Sequence, residues 1–167
     1  KPFILACNHL SFFDPPAIGC KIPRNLHYFA RDSLFFWPLG LLISGLNSIP
    51  VNRGQLDLRT LRKVLKVLKN GHPILVFPEG TRSEDGELQD PQKGLGLLVA
   101  KSSVGVIPAR IYGSGKAFGK KHLIPRIGRK IYINIGVEIS FDDPKDVKSK
   151  KNYLDISTTV MSAIEKL

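Results

Sequence analysis

Leu56-Asp-Leu-Arg-Thr-Leu-Arg-Lys-Val-Leu-Lys-Val-Leu-Lys-Asn70-Gly71-His-Pro-Ile74-Leu-Val-Phe77 is the run from which the fold is read. Leu58, Leu61, Leu65 and Leu68 share one face of a helix over Leu56–Asn70, and Arg59, Arg62, Lys63, Lys66 and Lys69 cover the opposite face. Gly71 supplies the C-terminal stop. Ile74–Phe77 is then a compact β-rich run of the kind buried in parallel sheets. Outward from this unit, short apolar runs keep alternating with helical patterns. Strands are predicted over Phe3–Cys7, Leu26–Ala30, Ile49–Val51, Val106–Tyr112 and Lys130–Val137. Helices are predicted within Ser11–Gly19, over Gly94–Ser103 (weakened by Gly96) and over Lys151–Leu167. Ser83–Gln92 is polar and reads as a surface loop. The expected fold is a single α/β domain over 1–167, with a central mixed, largely parallel sheet flanked by helices.

The composition agrees with a packed domain. Of 167 residues, 43% are hydrophobic and 23% charged, enough apolar side chain for a core, which excludes a disordered tail. The 25 Lys+Arg against 14 Asp+Glu leave a charge of +11, which points to an anionic partner: nucleic acid, a membrane surface or a phosphorylated substrate. No eighteen-residue apolar run spans a bilayer. Leu34–Leu46 has thirteen residues without a charge, broken by Pro38 and Gly40, and fits a buried helix or an interfacial segment. Cys7 and Cys20 are too few for a disulfide framework and make no metal-ligand spacing. The chain opens as if in mid-strand and shows no signal peptide, so a preceding region is expected.

Four blocks carry chemistry. In Asn8-His9-Leu10-Ser11-Phe12-Phe13-Asp14, a histidine can take a proton from an alcohol while a carboxylate holds its tautomer. A spacing of five suits no single helical face. It works if His9 lies in the turn before a helix and Asp14 reaches back from the first helical turn, where Pro15 also belongs; a structural histidine is the plainer alternative. In Phe77-Pro78-Glu79-Gly80-Thr81-Arg82-Ser83, at the end of an apolar strand, glycine lets backbone amides approach an anion. Arg82 can fork onto phosphate there, and Thr81 and Ser83 can donate hydrogen bonds. A helix cap with a surface Arg–Glu pair would use the same residues. Ile49-Pro50-Val51-Asn52-Arg53 is again a strand end followed by arginine. Val106-Ile107-Pro108-Ala109-Arg110 is mainly an apolar strand. Cys7, two residues before His9, reads as a small buried residue and not as a nucleophile.

In this order and spacing, the four blocks resemble the glycerolipid acyltransferases of the 1-acylglycerol-3-phosphate (lysophosphatidic acid) type. Asn8, His9, Ser11 and Asp14 match the family's Asn-His-x-Ser-x-x-Asp motif, and Phe77–Ser83 match Phe-Pro-Glu-Gly-Thr-Arg-Ser without a change. Ile49–Arg53 match the strand-then-arginine motif, with Asn52 where aspartate is common, and Val106–Ala109 match the Ile-Pro motif. The resemblance implies a glycerol-3-phosphate acyltransferase-like fold and acyl transfer from acyl-CoA or acyl-carrier protein to the middle hydroxyl of lysophosphatidate. It implies His9 as general base and Asp14 as its orienting partner. Arg53, Glu79, Gly80, Thr81 and Arg82 bind the acceptor, with Glu79 orienting an arginine or a glycerol hydroxyl. It implies no metal and no prosthetic group, membrane-associating helices in the region before Lys1, and a place at the cytoplasmic face of a membrane. The basic runs Leu56–Asn70, Lys116–Lys130 and Lys145–Lys151 fit either a solvated face or an anionic lipid surface.

Two other readings stay open on the residues. One is an acyltransferase for a different lysophospholipid or for glycerol phosphate. The other is a non-catalytic module that binds lipid or nucleic acid through Leu56–Asn70 and Lys116–Lys130, although aromatic residues are not interleaved with those basic runs as a stacking platform needs.

Overall fold

The computed structural model describes residues 1–31, 47–51, 58–122, 124–126, 128–141 and 152–167. Among them, six strands form one sheet: β1 (Ile4–Cys7), β2 (His27–Arg31), β3 (Ser48–Val51), β4 (Ile74–Val76), β5 (Val106–Tyr112) and β6 (Tyr132–Ile135), in the order β3-β2-β4-β1-β5-β6. The first five run parallel, and β6 closes the edge antiparallel to β5. Five helices are described: α1 (Asp14–Gly19), α2 (Leu58–Lys69), α3 (Lys93–Ser102), α4 (Ser114–Phe118) and α5 (Asn152–Glu165). The fold is the α/β arrangement expected from the alternating pattern.

β1 is buried on both faces, as a central parallel strand must be. Ile4 and Ala6 face one core, built with Leu61, Val64 and Leu68 of α2, Leu95, Leu98 and Val99 of α3, and Ile156, Val160 and Ile164 of α5. Leu5 and Cys7 face the other, with Leu10, Ile18 of α1, Leu26, Leu75 and Ile111. The helix after β1 therefore covers one face of the sheet and the helix after β4 covers the other. Because β1 and β4 are neighbours, their carboxyl ends open a crevice at a topological switch point, where ligands gather in open α/β sheets.

The α2–β4 unit forms as its pattern predicts, with one correction. Gly71 stands at φ +85°, its N–H donates to Leu68 O at 2.9 Å, and the His72 N–H donates to Val67 O at 3.2 Å. This pair of bonds is the Schellman ending that favours glycine. Leu58, counted with the apolar face, is 71% exposed, and Val64 takes its place in the core. Leu61, Val64, Leu65 and Leu68 keep a tighter i, i+3, i+4, i+7 stripe than a stripe extended back to Leu58.

Other boundaries move for local reasons. β2 starts at His27, whose N–H bonds Pro73 O at 3.0 Å, while Leu26 packs into the core just outside it. β6 is shorter than Lys130–Val137. The short helix α4 overlaps the start of the basic run Lys116–Lys130, where the sequence pattern predicts no helix. Leu34–Leu46, the Asn52–Arg53 step, Leu56 and Asp57 at the start of Leu56–Asn70, and the lysines over 145–151 lie outside the described residues.

Gly96 is a poor helix former by itself, yet it is what lets α3 meet α5. A Cβ there would stand 1.9 Å from the Tyr153 carbonyl oxygen, and the Gly96 N–H donates to Ser157 Oγ at 3.0 Å. In an exposed helix, Gly→Ala gains about 1 kcal/mol. Here the sign reverses: Gly96→Ala is expected to destabilise the protein by about 1–3 kcal/mol through overpacking against backbone. The midpoint of urea unfolding checks this, and a rise in the midpoint would contradict the packing.

Candidate active site

The carboxyl ends of β1 and β4 bring the two main motifs side by side. Ala6 pairs with Val76, so His9 and Glu79 stand level, three residues further along each chain. The backbone no longer pairs at that level. Instead the His9 N–H donates to Glu79 Oε1 at 3.1 Å, and the Ser83 N–H donates to His9 O at 2.8 Å. On the other side, the Asn8 side chain continues the β1–β5 ladder. Its Nδ2 donates to Ile111 O at 3.1 Å, and its Oδ1 accepts the Ile111 N–H at 2.8 Å. His9 thus leaves the sheet from a chain held on both flanks.

Asp14 opens α1 and is fully buried. Its Oδ2 accepts from His9 Nδ1 at 2.8 Å, from the Leu10 N–H at 2.6 Å and from the Ser11 N–H at 2.7 Å. This is the geometry the five-residue spacing required, with the histidine before the helix and the carboxylate reaching back. Ser11 and Asp14 make half of a capping box. Asp14 accepts from Ser11 N–H, but Ser11 Oγ accepts from the Phe13 N–H at 3.0 Å and donates to Phe118 O at 2.8 Å. With a carboxylate on Nδ1, that nitrogen carries the proton and Nε2 is the nitrogen left to accept one. The Phe77 ring stacks on the imidazole at 3.9 Å between centroids, 13° from parallel, and fixes its plane.

In the second motif, Gly80 takes φ +69° and its N–H closes a turn onto Phe77 O at 3.1 Å. Glu79 is 2% exposed, and its Oε2 has no hydrogen-bond partner among the described residues. Burial raises its carboxyl to about 7, and the Asp14 charge adds to the rise against the lowering effect of the His9 and Gln89 backbone. Arg82 lies partly buried with its guanidinium carbon 3.6 Å from the centroid of Phe12. Its Nη1 is buried without a partner among the described residues. Burial lowers its pKa, against the charge of Asp14. The Cys7 thiol is buried and its pKa lies well above the usual thiol range, first through burial and then through the Asp14 charge. That suits a packing residue and disfavours a nucleophile.

The structure therefore brings together His9, Asp14, Glu79 and Arg82. Gly80 and Thr81 lie exposed at the rim. Arg53 lies outside the described residues. Among the described residues Glu79 accepts from backbone, the His9 N–H, and the arginine or glycerol hydroxyl it is expected to orient is not among its observed partners. One expectation changes: Ser83 Oγ donates to Asp85 Oδ1 at 2.8 Å, closing the loop instead of facing a ligand. Asn8 and Phe77 belong to the site's frame. The motif spelling contained both, but their roles depend on strand register, which local sequence does not state. Among the described residues, no group of three or more His, Cys, Asp or Glu could hold a metal ion.

A family model described as Acyltransferase matches residues 1–112, which include all four blocks. The 1-acyl-sn-glycerol-3-phosphate acyltransferase of Bacillus subtilis (strain 168) is 28% identical over 171 residues, covering 99% of this chain and 80% of that protein. The chloroplastic 1-acyl-sn-glycerol-3-phosphate acyltransferase LPAT1 of Arabidopsis thaliana is 32% identical over 120 residues, 69% of this chain; the match spans 33% of that relative's length. The crystal structure of the 1-acyl-sn-glycerophosphate (LPA) acyltransferase PlsC from Thermotoga maritima superposes with a TM-score of 0.77 at 27% identity, covering 99% of this chain and 66% of that one.

The Glu79 carboxyl gives a test by pH. An unfolded glutamate releases its proton near 4.3, whereas the folded one holds it to about 7. Between those values the folded state binds more protons, so Glu79 makes stability fall as pH rises through that window. Glu79→Gln keeps an oxygen for the His9 N–H and removes the titration. Its stability relative to wild type is expected to climb from about pH 4 to about pH 8, by up to about 3 kcal/mol. Urea unfolding of both proteins at the two ends of that range checks it; a constant difference would contradict the burial.

Proposed function

The chain belongs to the acyltransferase family, and from that membership we propose that it transfers a fatty acyl group to the free middle hydroxyl of lysophosphatidate, giving phosphatidate. The single observation that carries the reading is the His9–Asp14 pair at 2.8 Å, set beside Arg82 and Glu79 in one crevice. A hydroxyl is a weak nucleophile at neutral pH, and a thioester carbonyl is already activated, so the chemistry needs a base more than a covalent intermediate.

His9 Nε2 takes the proton of the acceptor hydroxyl as its oxygen attacks the thioester carbonyl carbon. Asp14 holds Nδ1–H and stabilises the imidazolium that forms. The tetrahedral oxyanion collapses, the carbon–sulfur bond breaks, and the thiolate leaves with the proton returned from Nε2. Arg82 and Arg53 anchor the acceptor's phosphate. Glu79, by accepting the His9 N–H, holds the base at the level of the phosphate loop. The donor is acyl-CoA or acyl-carrier protein, with no metal or prosthetic group in the sequence of steps. The exposed cations of α2 and of Lys116–Lys130 suit an anionic membrane surface at which the lipid acceptor is presented, on the cytoplasmic side.

His9→Ala is expected to lower kcat by a factor of about 10²–10⁴, because it removes the general base, while the protein stays folded. Release of free thiol from an acyl donor in the presence of lysophosphatidate measures it. Near-wild-type turnover in a folded His9→Ala protein would remove the base from the mechanism.

A further inference from the structure

Phe12 is the large apolar residue that the His9–Asp14 loop leaves in water, 46% exposed between neighbours that are mostly buried. The motif puts no demand on this position, and the proposed chemistry does not use it. Its ring nevertheless lies in contact with Arg82, whose guanidinium carbon stands 3.6 Å from the ring centroid. The ring is itself held. Phe118, the last residue of α4, packs against Phe12 at 5.4 Å between centroids and against Phe13 at 5.2 Å. The Phe118 carbonyl accepts the Ser11 hydroxyl at 2.8 Å, and Ser11 makes an isolated antiparallel bridge with Gly119. A Cβ at Gly119 would stand 2.5 Å from the Gly115 carbonyl oxygen, so the chain leaves α4 there only because that residue is glycine.

A guanidinium stacked on an aromatic face keeps its N–H donors free, because they radiate in its own plane. Stacking also removes rotamer freedom before a ligand arrives, so less is lost when the fork closes on an anion. Nη1 of Arg82 is already stripped of water and has no partner among the described residues. We propose that Phe12 is a positioning residue that holds Arg82 so that its in-plane donors meet the phosphate of the acceptor, with Ser11 and Phe118 fixing the ring. This rests on the reading of Arg82 as the phosphate anchor. It also gives the motif serine a task away from the reacting atoms: Ser11 ties α4 to the loop and, through Phe118, sets the platform on which the arginine lies.

The test uses the full chain as wild type, Phe12→Leu, Phe12→Tyr and Arg82→Ala, each checked for folding by its thermal melt. Thiol release is followed with acyl-CoA and lysophosphatidate varied separately. Phe12→Leu is expected to raise the acceptor KM roughly three- to tenfold, the worth of a partly desolvated cation–π contact, with the donor KM unchanged. Phe12→Tyr, which keeps the aromatic face, is expected to restore it, and Phe12→Leu in an Arg82→Ala background is expected to add nothing. An unchanged acceptor KM in Phe12→Leu, equal losses on both substrates, or additivity with Arg82→Ala overturns the proposal. Calorimetric titration of inorganic phosphate runs alongside. Weaker binding to Phe12→Leu that Phe12→Tyr regains supports the platform even if wild type turns over no lysophosphatidate, an outcome that would count against the proposed activity alone. Equal phosphate affinity in all the Phe12 variants counts against the platform.

Discussion

The Asp14 carboxylate is the constraint on which the rest of the site depends. One oxygen, Oδ2, accepts from His9 Nδ1, Leu10 N–H and Ser11 N–H, in a side chain with no solvent exposure. The two backbone bonds fold the loop between β1 and α1, and the third sets the histidine on it. Neither task separates from the other. Removing the carboxylate would leave two buried N–H groups unsatisfied, each at a cost of about 1–3 kcal/mol, and would also release the imidazole. Strain in the loop is small by comparison. Phe13, the N-cap residue of α1, keeps ordinary right-handed angles, and Pro15 stands after Asp14 in the first turn, where proline is allowed.

Strand register does what Asp14 cannot. Parallel pairing of β1 with β4 brings two motifs seventy residues apart to the same height, and the bond between Glu79 and the His9 N–H takes the place of the next rung of the ladder. Burying that carboxylate raises its pKa, so the connection carries an electrostatic cost. Arg82 is near enough to share the field of Asp14, and its own burial withdraws water from a cation facing the crevice. The crevice therefore holds two carboxyl groups and a guanidinium with unused hydrogen-bonding capacity among the described residues, at Asp14 Oδ1, Glu79 Oε2 and Arg82 Nη1. Of these, the guanidinium N–H is the group that a phosphate oxygen satisfies.

Much of this was legible in the sequence because it depends on short range. The α2 stripe, the Gly71 stop and the Ile74–Val76 run follow from periodicity and from one left-handed glycine. The His9–Asp14 contact follows from a spacing with one workable geometry. What stayed hidden depends on long range. Glu79 reaches a backbone N–H that only register places beside it. Gly96 reads as a helix breaker until Tyr153 and Ser157 of α5 arrive against it. Ser83 offers a hydroxyl that local sequence cannot distinguish from a ligand donor, although Asp85, two residues away, takes it. Leu58 follows the helical period and still faces water, because the end of a stripe has no core to meet.

The positive charge shows the same division between local and global information. A net +11 indicates an anionic partner without saying where it binds. In the fold, the cations separate by environment. On α2, Arg59, Arg62, Lys63, Lys66 and Lys69 are exposed on a helix whose apolar face is committed to the core, so that helix cannot roll into a membrane interface and can act on one only through its field. Lys120 pairs with Glu84 at 2.6 Å between two solvent-exposed side chains, where an ion pair contributes little. Arg82 differs from all of these. It is partly desolvated, stacked on an aromatic ring and within the field of a buried carboxylate. An arginine so placed can discriminate one phosphate from the surrounding solvent, which scattered surface lysines cannot do. Composition counts every cation alike, whereas burial separates Arg82 from the exposed cations of α2 and from Lys120.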